Sequence, residues 1–261
     1  MSVHVIVLKY TIDLFKKQTF YKPKCYNITM KILAVSDIHQ SFKTHDGRDE
    51  SHNFEKFLEV IKIEKPKLVL ICGDTEDVSD IDMRALKKLS HMLDFKTFII
   101  LGNHDNKSVI KRSGMLLNGL DSFNNISIAG INGITAPVHY NNVLTFAEDR
   151  LFNEAKRIKR ELDEKMIDLD ILLTHEMPKI HAGYERDFYN ERSSFIFSDI
   201  LYLLKPKLAI SGHLHGNKTL IAEYEYGIVV NLGAFAEGHY AIIEVENNPF
   251  TIKRIKPVKF A

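Results

Sequence analysis

Short apolar runs alternate with helically spaced apolar positions from Met30 onward. Ile32 to Ser36, Leu68 to Cys72, Thr97 to Leu101, Ile126 to Ile131, Ile171 to Thr174 and Leu208 to Ser211 are bounded by Gly, Pro, Asp or Asn, and they read as buried strands. Between them, Phe54, Phe57, Leu58 and Ile61 follow the i, i+3, i+4, i+7 spacing of an amphipathic helix, with Asn53 placed to cap it. Ala85, Leu86, Leu89, Met92 and Leu93 predict a second helix. Leu151, Ala155, Ile158, Leu162 and Met166 predict a third, whose charged residues Glu154, Lys156, Arg157 and Glu161 form a solvated face. After His215 the pattern changes: Thr219 to Tyr224, Gly227 to Asn231, Tyr240 to Val245 and Phe250 to Ile255 predict a terminal antiparallel group. Strands alternating with helices, then a strand meander, predict an α/β domain in which sheets pack together under helices. No internal repeat or low-complexity segment is visible.

Residues 1–29 stand outside this pattern as an N-terminal extension, and the compact domain is expected over 30–261. Within the extension, Val3 to Leu8 fits an edge strand and Ile12 to Lys17 a short helix, or the segment plays no part in function. At 261 residues and 45% hydrophobic, the chain can bury a sizeable core. Its 35 Lys and Arg against 34 Asp and Glu carry no overall bias toward nucleic acid or an anionic membrane. Two cysteines, Cys25 and Cys72, are too few for a disulfide-stapled secreted scaffold, which points to a reducing cytoplasm. No run approaches the roughly 18 apolar residues of a membrane span, and Val5 to Leu8 is too short for a signal-peptide core.

The chemistry is concentrated at strand ends. Asp37-Ile38-His39 closes the first strand, and i and i+2 on an extended chain share a face, so both side chains can reach one ion. The second strand ends in Gly73-Asp74-Thr75-Glu76-Asp77 and the third in Gly102-Asn103-His104-Asp105, each glycine allowing a sharp turn close to a ligand. His175 follows Ile171 to Thr174, and Gly212-His213-Leu214-His215 follows Ile210 and Ser211. One such histidine is ordinarily structural, and Asp77 or Asp105 alone is explained by helix capping. Five clusters, each after an apolar strand, are not.

This ordered set resembles the calcineurin-like metallophosphoesterase superfamily over most of residues 31–233. The resemblance implies a double β-sandwich with flanking helices, the four-layer version of an α/β fold. It implies one metal on Asp37, His39, Asp74 and His215, and a second on Asp74, Asn103, His175 and His213, with Asp74 shared. It also implies that His104, oriented by Asp77, protonates the leaving oxygen or stabilises its charge. Donors of this kind, without thiolate, suit two divalent transition-metal ions, manganese first and iron, zinc, nickel or cobalt as alternatives. Two ions about 3.5–4 Å apart would turn a bridging water into a hydroxide nucleophile and neutralise charge on the phosphoryl group.

Departures from the family bear on substrate. Val78 stands where phosphoprotein phosphatases of the superfamily carry a phosphate-gripping arginine, which favours a phosphodiester or a small phosphorylated metabolite. His181 to Ser194, with Tyr184, Arg186, Tyr189 and Arg192, reads as a lid, a substrate wall or a plain surface loop. Asn231-Leu232-Gly233 reads as structural, and His45 and His52 as solvent-exposed. The competing readings are a metal-dependent nuclease, which leaves nucleic acid open as a substrate, and a non-catalytic phosphoesterase-like scaffold that binds proteins.

Overall fold

The computed structural model describes residues 29–39, 52–135, 144–179, 194–216 and 218–260. The expectations for Val3 to Leu8, Ile12 to Lys17, His45 and residues 181–193 lie outside these. One five-stranded sheet has the order β13-β12-β1-β2-β3. Its strands are β1 (Thr29–Val35), β2 (Leu68–Cys72), β3 (Lys96–Ile100), β12 (His239–Asn247) and β13 (Phe250–Lys259). A six-stranded sheet has the order β10-β11-β9-β8-β5-β4. It contains β4 (Gly119–Phe123), β5 (Ile126–Ile131), β8 (Ile171–Thr174), β9 (Leu208–Ser211), β10 (Leu220–Tyr224) and β11 (Gly227–Asn231). A small parallel pair, β6 (Ile134–Thr135) and β7 (Thr145–Phe146), lies between β5 and β8 in sequence.

The period-2 alternation of strand side chains builds four layers. Along β1, Ile32 and Ala34 point to the core between the sheets, where they join Leu70, Ile128, Leu173 and Ile210. Leu33 and Val35 point the other way, onto α1 (Asn53–Glu64), α2 (Asp80–Leu93) and α3 (Lys107–Ser113) through Phe57, Met83 and Ile110. On the second sheet, Ala129, Leu172 and Ala209 face α4 (Glu148–Lys165) and α5 (Phe195–Leu204) through Ile158 and Phe197. The result is a double β-sandwich with helices on both outer faces, as the sequence pattern and the resemblance predict. Each fully buried Phe or Ile in these layers contributes about 1.5–3 kcal/mol from apolar burial.

The terminal strands do not form one group. β10 pairs with β11, which runs parallel to β9, while β12 pairs with β1. The two hairpins therefore complete different sheets, because a meander signal gives hairpins and says nothing of which exposed strand edge each one covers. Two helical expectations also shift at their ends. Met166 ends α4 in the left-handed conformation, exposed, and Met92 is exposed on α2. Among the described residues no helix is long and apolar enough to cross a membrane.

This topology gathers the chemistry. β1, β2 and β3 are mutually parallel, as are β5, β8, β9 and β11, so their carboxyl ends lie at one edge of the sandwich. The backbone N–H of Asp37 donates to Gly73 O at 3.0 Å, and that of Gly212 donates to His175 O at 2.9 Å. Across the gap between sheets, His213 N–H donates to the Asp37 carboxylate at 2.9 Å. Open α/β sheets place ligands at such strand ends.

Candidate metal centre

Left-handed backbone shapes the site. Asp37, His39, Asp74 and His213 have φ of +55°, +41°, +55° and +70°. Non-glycine residues rarely adopt this conformation, and such strain collects where function requires it. The Asp37 and His39 side chains thus converge through tight turns, not through the extended i, i+2 geometry that the sequence suggests. Asn53 holds this turn: it is the first residue of α1 and not its cap, and its Nδ2 donates to Ile38 O at 3.1 Å and His39 O at 3.3 Å. Gly212 is required by proximity, since a Cβ there would lie 1.8 Å from Ser36 Oγ and 2.5 Å from Asp37 Oδ2. Asn231 Nδ2 donates to Gly212 O at 2.6 Å, the structural part foreseen for that strand end.

Two clusters of ligand-type atoms result: Asp37, His39 and His215, and Asp74, His175 and His213. Within each, the three donor atoms lie within 4.8 Å of one another. In the first, Asp37 Oδ1 is 3.1 Å from His215 Nε2 and 3.7 Å from His39 Nε2. The two imidazole nitrogens are 3.0 Å apart. In the second, Asp74 Oδ2 is 3.2 Å from His175 Nε2. The same oxygen is 3.9 Å from His39 Nε2, so Asp74 faces both clusters. Asn103 is half-buried at the end of β3 and lines one cavity with His104, Asp77 and Val78.

The ring tautomers fit cation binding. His175 Nδ1–H donates to Cys72 O at 2.6 Å, which leaves the Nε2 lone pair facing inward. That Nε2 is buried 3.2 Å from Asp74 Oδ2 with no well-formed hydrogen bond among the described residues, a position that calls for positive charge, as a proton or as a metal cation in its place. His39 Nδ1–H donates to Glu76 Oε2 at 2.8 Å and likewise turns Nε2 toward the carboxylates. Electrostatics agree. Burial opposes protonation of His39, but Asp37, Asp74 and Glu76 outweigh it and raise it to about 9. Burial opposes protonation of His175 too, and Asp74 and Asp37 raise it to about 10. Burial followed by the charge of His175 pushes His213 down to about 4. Burial would raise Asp37, yet His175, His215 and His39 hold its carboxyl well below the usual range. The cluster demands positive charge, which the protein's own imidazoles supply only in part. Cys72, the one described thiol, is buried in the core, where burial pushes it up and its Sγ contacts Ile210 O.

Two carboxylates escape the sequence reading. Glu76 places one oxygen on His39 Nδ1 and the other 3.4 Å from His104 Nδ1. Its position in Gly73–Asp77 is the only sequence signal, because left-handed φ at Asp74 and Asp77 decides which side chain of the motif turns inward. Asp77 itself is exposed beside the cavity that His104 lines. Asp105 is a buried staple, not a helix cap. One of its oxygens accepts from Asp74 N–H at 2.8 Å and Gly102 N–H at 2.7 Å. The other accepts from the Thr75 N–H at 2.7 Å and its hydroxyl at 2.6 Å. Burial and then the Asp74 charge push its carboxyl up, and these donors oppose the shift.

Asp105→Ala orphans these buried donors and is expected to cost about 3 kcal/mol or more of unfolding free energy. Asp105→Asn is expected to be no rescue, since its amide NH₂ would meet N–H donors. Denaturant unfolding of both variants checks this; a loss under about 1 kcal/mol would refute the staple.

A four-layer sandwich carrying paired imidazole and carboxylate clusters at its strand ends defines a metal-dependent hydrolase of phosphoesters. The profile of the calcineurin-like phosphoesterases matches residues 30–217, and the chain belongs to that family, whose hydrolases depend on divalent metals. Among its relatives is the protein named "Probable glycerophosphodiester phosphodiesterase GpdQ" from Arcobacter nitrofigilis, 24% identical over 194 residues, covering 70% of this chain and 68% of that one. A component of the nuclease SbcCD from Staphylococcus saprophyticus is 30% identical over 89 residues, covering 30% of this chain and 23% of that protein. Among solved structures, the protein TT1561 of Thermus thermophilus superposes with a TM-score of 0.64 at 17% identity, covering 89% of this chain and 99% of that one. A dimetal phosphatase from Danio rerio superposes at 0.55 with 10% identity, covering 89% and 99%. At these identities the two structures speak to fold alone.

Proposed function

We propose that the chain is a dinuclear metal-dependent phosphoesterase acting on a phosphodiester or a small phosphorylated metabolite, with the diester as first choice. The carrying observation is the meeting of two donor clusters around Asp74, whose Oδ2 faces both His39 and His175. One ion falls to Asp37, His39, Asp74 and His215, the other to Asp74, Asn103, His175 and His213. With no thiolate in the set, manganese is the first choice and iron, zinc, nickel or cobalt the alternatives. Bound there, a metal pair supplies Lewis acidity, which activates water and neutralises charge on the phosphoryl oxygens.

The protein's own groups do the rest. Glu76 and the Cys72 carbonyl fix the direction of the His39 and His175 lone pairs. His104 stands more open than the ligand-type residues, with 40% of its side chain exposed, so it can meet a substrate. Its Nδ1 faces Glu76, which leaves Nε2 to donate a proton to the departing oxygen. Glu76 and the adjacent Asp77 are the carboxylates available to orient it. Val78 brings no cation to the phosphoprotein position, and the name of the Arcobacter relative supports a diester.

The test is hydrolysis of bis(4-nitrophenyl) phosphate and 4-nitrophenyl phosphate by the manganese-loaded protein. The diester is expected to be turned over at least about tenfold faster in kcat/KM. A preference for the monoester would overturn the diester assignment, and hydrolysis of neither would favour the scaffold reading.

A further inference from the structure

A second cavity, of about 270 Å³, adjoins the one lined by His104. Lys107 and Leu144 line both, so the two share a wall. Its volume is that of about nine waters, at about 30 Å³ each, enough for one ring-sized group. Leu116, Ile131, Phe146 and Leu151 give it an apolar wall.

Its charge is one-sided. Lys107 and Lys111 stand one turn apart on α3, and Arg150 approaches from the first turn of α4. Arg150 lies 3.8 Å over the centre of the Phe146 ring, a stacking contact that holds the guanidinium against the apolar wall. Among the described residues, none of these three cations has an ion-pair partner. The one carboxylate of the lining, Glu154, is taken by Arg157 at 2.6 Å. Lys107 is also the first residue of its helix, where the backbone dipole disfavours a cation. An apolar wall topped by these cations suits an anion carried on an apolar body.

We infer that this cavity binds the alcohol-side substituent of the phosphoester, and that the substrate class joins the reacting phosphoryl group to an apolar, ring-sized body bearing a second anionic group. The substrate part of this inference rests on the phosphodiesterase reading; the cavity's ligand preference does not. Two arms of one experiment separate them. In the first, naphthalene-2-sulfonate is titrated calorimetrically into metal-free protein. One saturable site is expected in the wild type and in Asp74→Asn, with affinity reduced at least about tenfold in Lys111→Glu/Arg150→Glu and kept in Lys111→Arg/Arg150→Lys.

In the second arm, the manganese-loaded protein is given 4-nitrophenyl diesters whose other arm is methyl or 4-carboxyphenyl. The Glu double variant is expected to raise KM for the carboxyphenyl ester about tenfold and to leave kcat/KM for the methyl ester within about twofold. Absence of saturable probe binding, equal binding by the Glu variant, or equal loss on both esters would overturn the inference. Probe binding by a protein that hydrolyses neither ester would support the cavity's anion preference and remove the esterase reading instead.

Discussion

An Asp74→Asn variant is expected to keep its fold and lose both metal binding and hydrolysis. Asparagine tolerates the left-handed backbone required at φ +55°, and its oxygen can still accept from His104 N–H, which donates to Asp74 Oδ1 at 2.9 Å. What disappears is an anionic oxygen 3.2 Å from His175 Nε2 and 3.9 Å from His39 Nε2, leaving Asp37 Oδ1, 3.9 Å from His175 Nε2, as the remaining carboxylate oxygen that faces both clusters. An outer partner of a metal ligand is typically worth 10–100-fold in activity, so loss of a shared ligand should lower kcat/KM by roughly 10³-fold or more. Metal content by elemental analysis and turnover by diester assay check both halves. A variant that retains two ions and wild-type turnover would remove Asp74 from the centre.

His104→Ala should behave differently. This imidazole sits outside both ligand clusters, with its ring centroid 5.6 Å from that of His39, so metal content should be unchanged. Loss of a positioned acid typically lowers kcat by roughly 10²–10⁴-fold. The size should depend on the leaving group. An alkoxide needs the proton and should lose the full amount, whereas 4-nitrophenolate leaves without one and should lose far less. Equal losses on both substrates would mean that His104 acts by position or charge and not as the acid.

These expectations draw on residues of unequal legibility. The ligand-type residues were visible because apolar strands must end somewhere, and polar residues of one chemical type stood at every end. The layer order was readable too, since period-2 strands and 3.6-period helices each announce a buried face. The elements that were missed lack that contrast. α5 buries Ile196, Phe197, Ile200, Leu201 and Leu204 at helical spacing, but the apolar residues Phe195 and Tyr202 stand on its exposed side, so the contrast between its faces is weak. β4, at a sheet edge, fully buries only Gly119 of its five residues, and the seven-residue α3 and the two-residue strands β6 and β7 are too short to show a period.

Within the site, side-chain identity was legible and backbone conformation was not. Glu76, Asn53 and Asp105 act through turns whose φ values depend on neighbouring strand ends, and no local pattern encodes them. Asn53 shows the difference most simply. Its position before a helix signals a cap, but contacts with Ile38 and His39, far away in sequence, claim its side chain.

The central claim is two cations held around one shared carboxylate, and counting them is the most direct test. Metal-free protein should be titrated calorimetrically with Mn²⁺, then desalted and analysed for metal per chain. Two ions per chain, with hydrolysis returning as the second site fills, is the expected result. Saturation at one ion with full activity, or activity that survives complete removal of metal, would contradict the account.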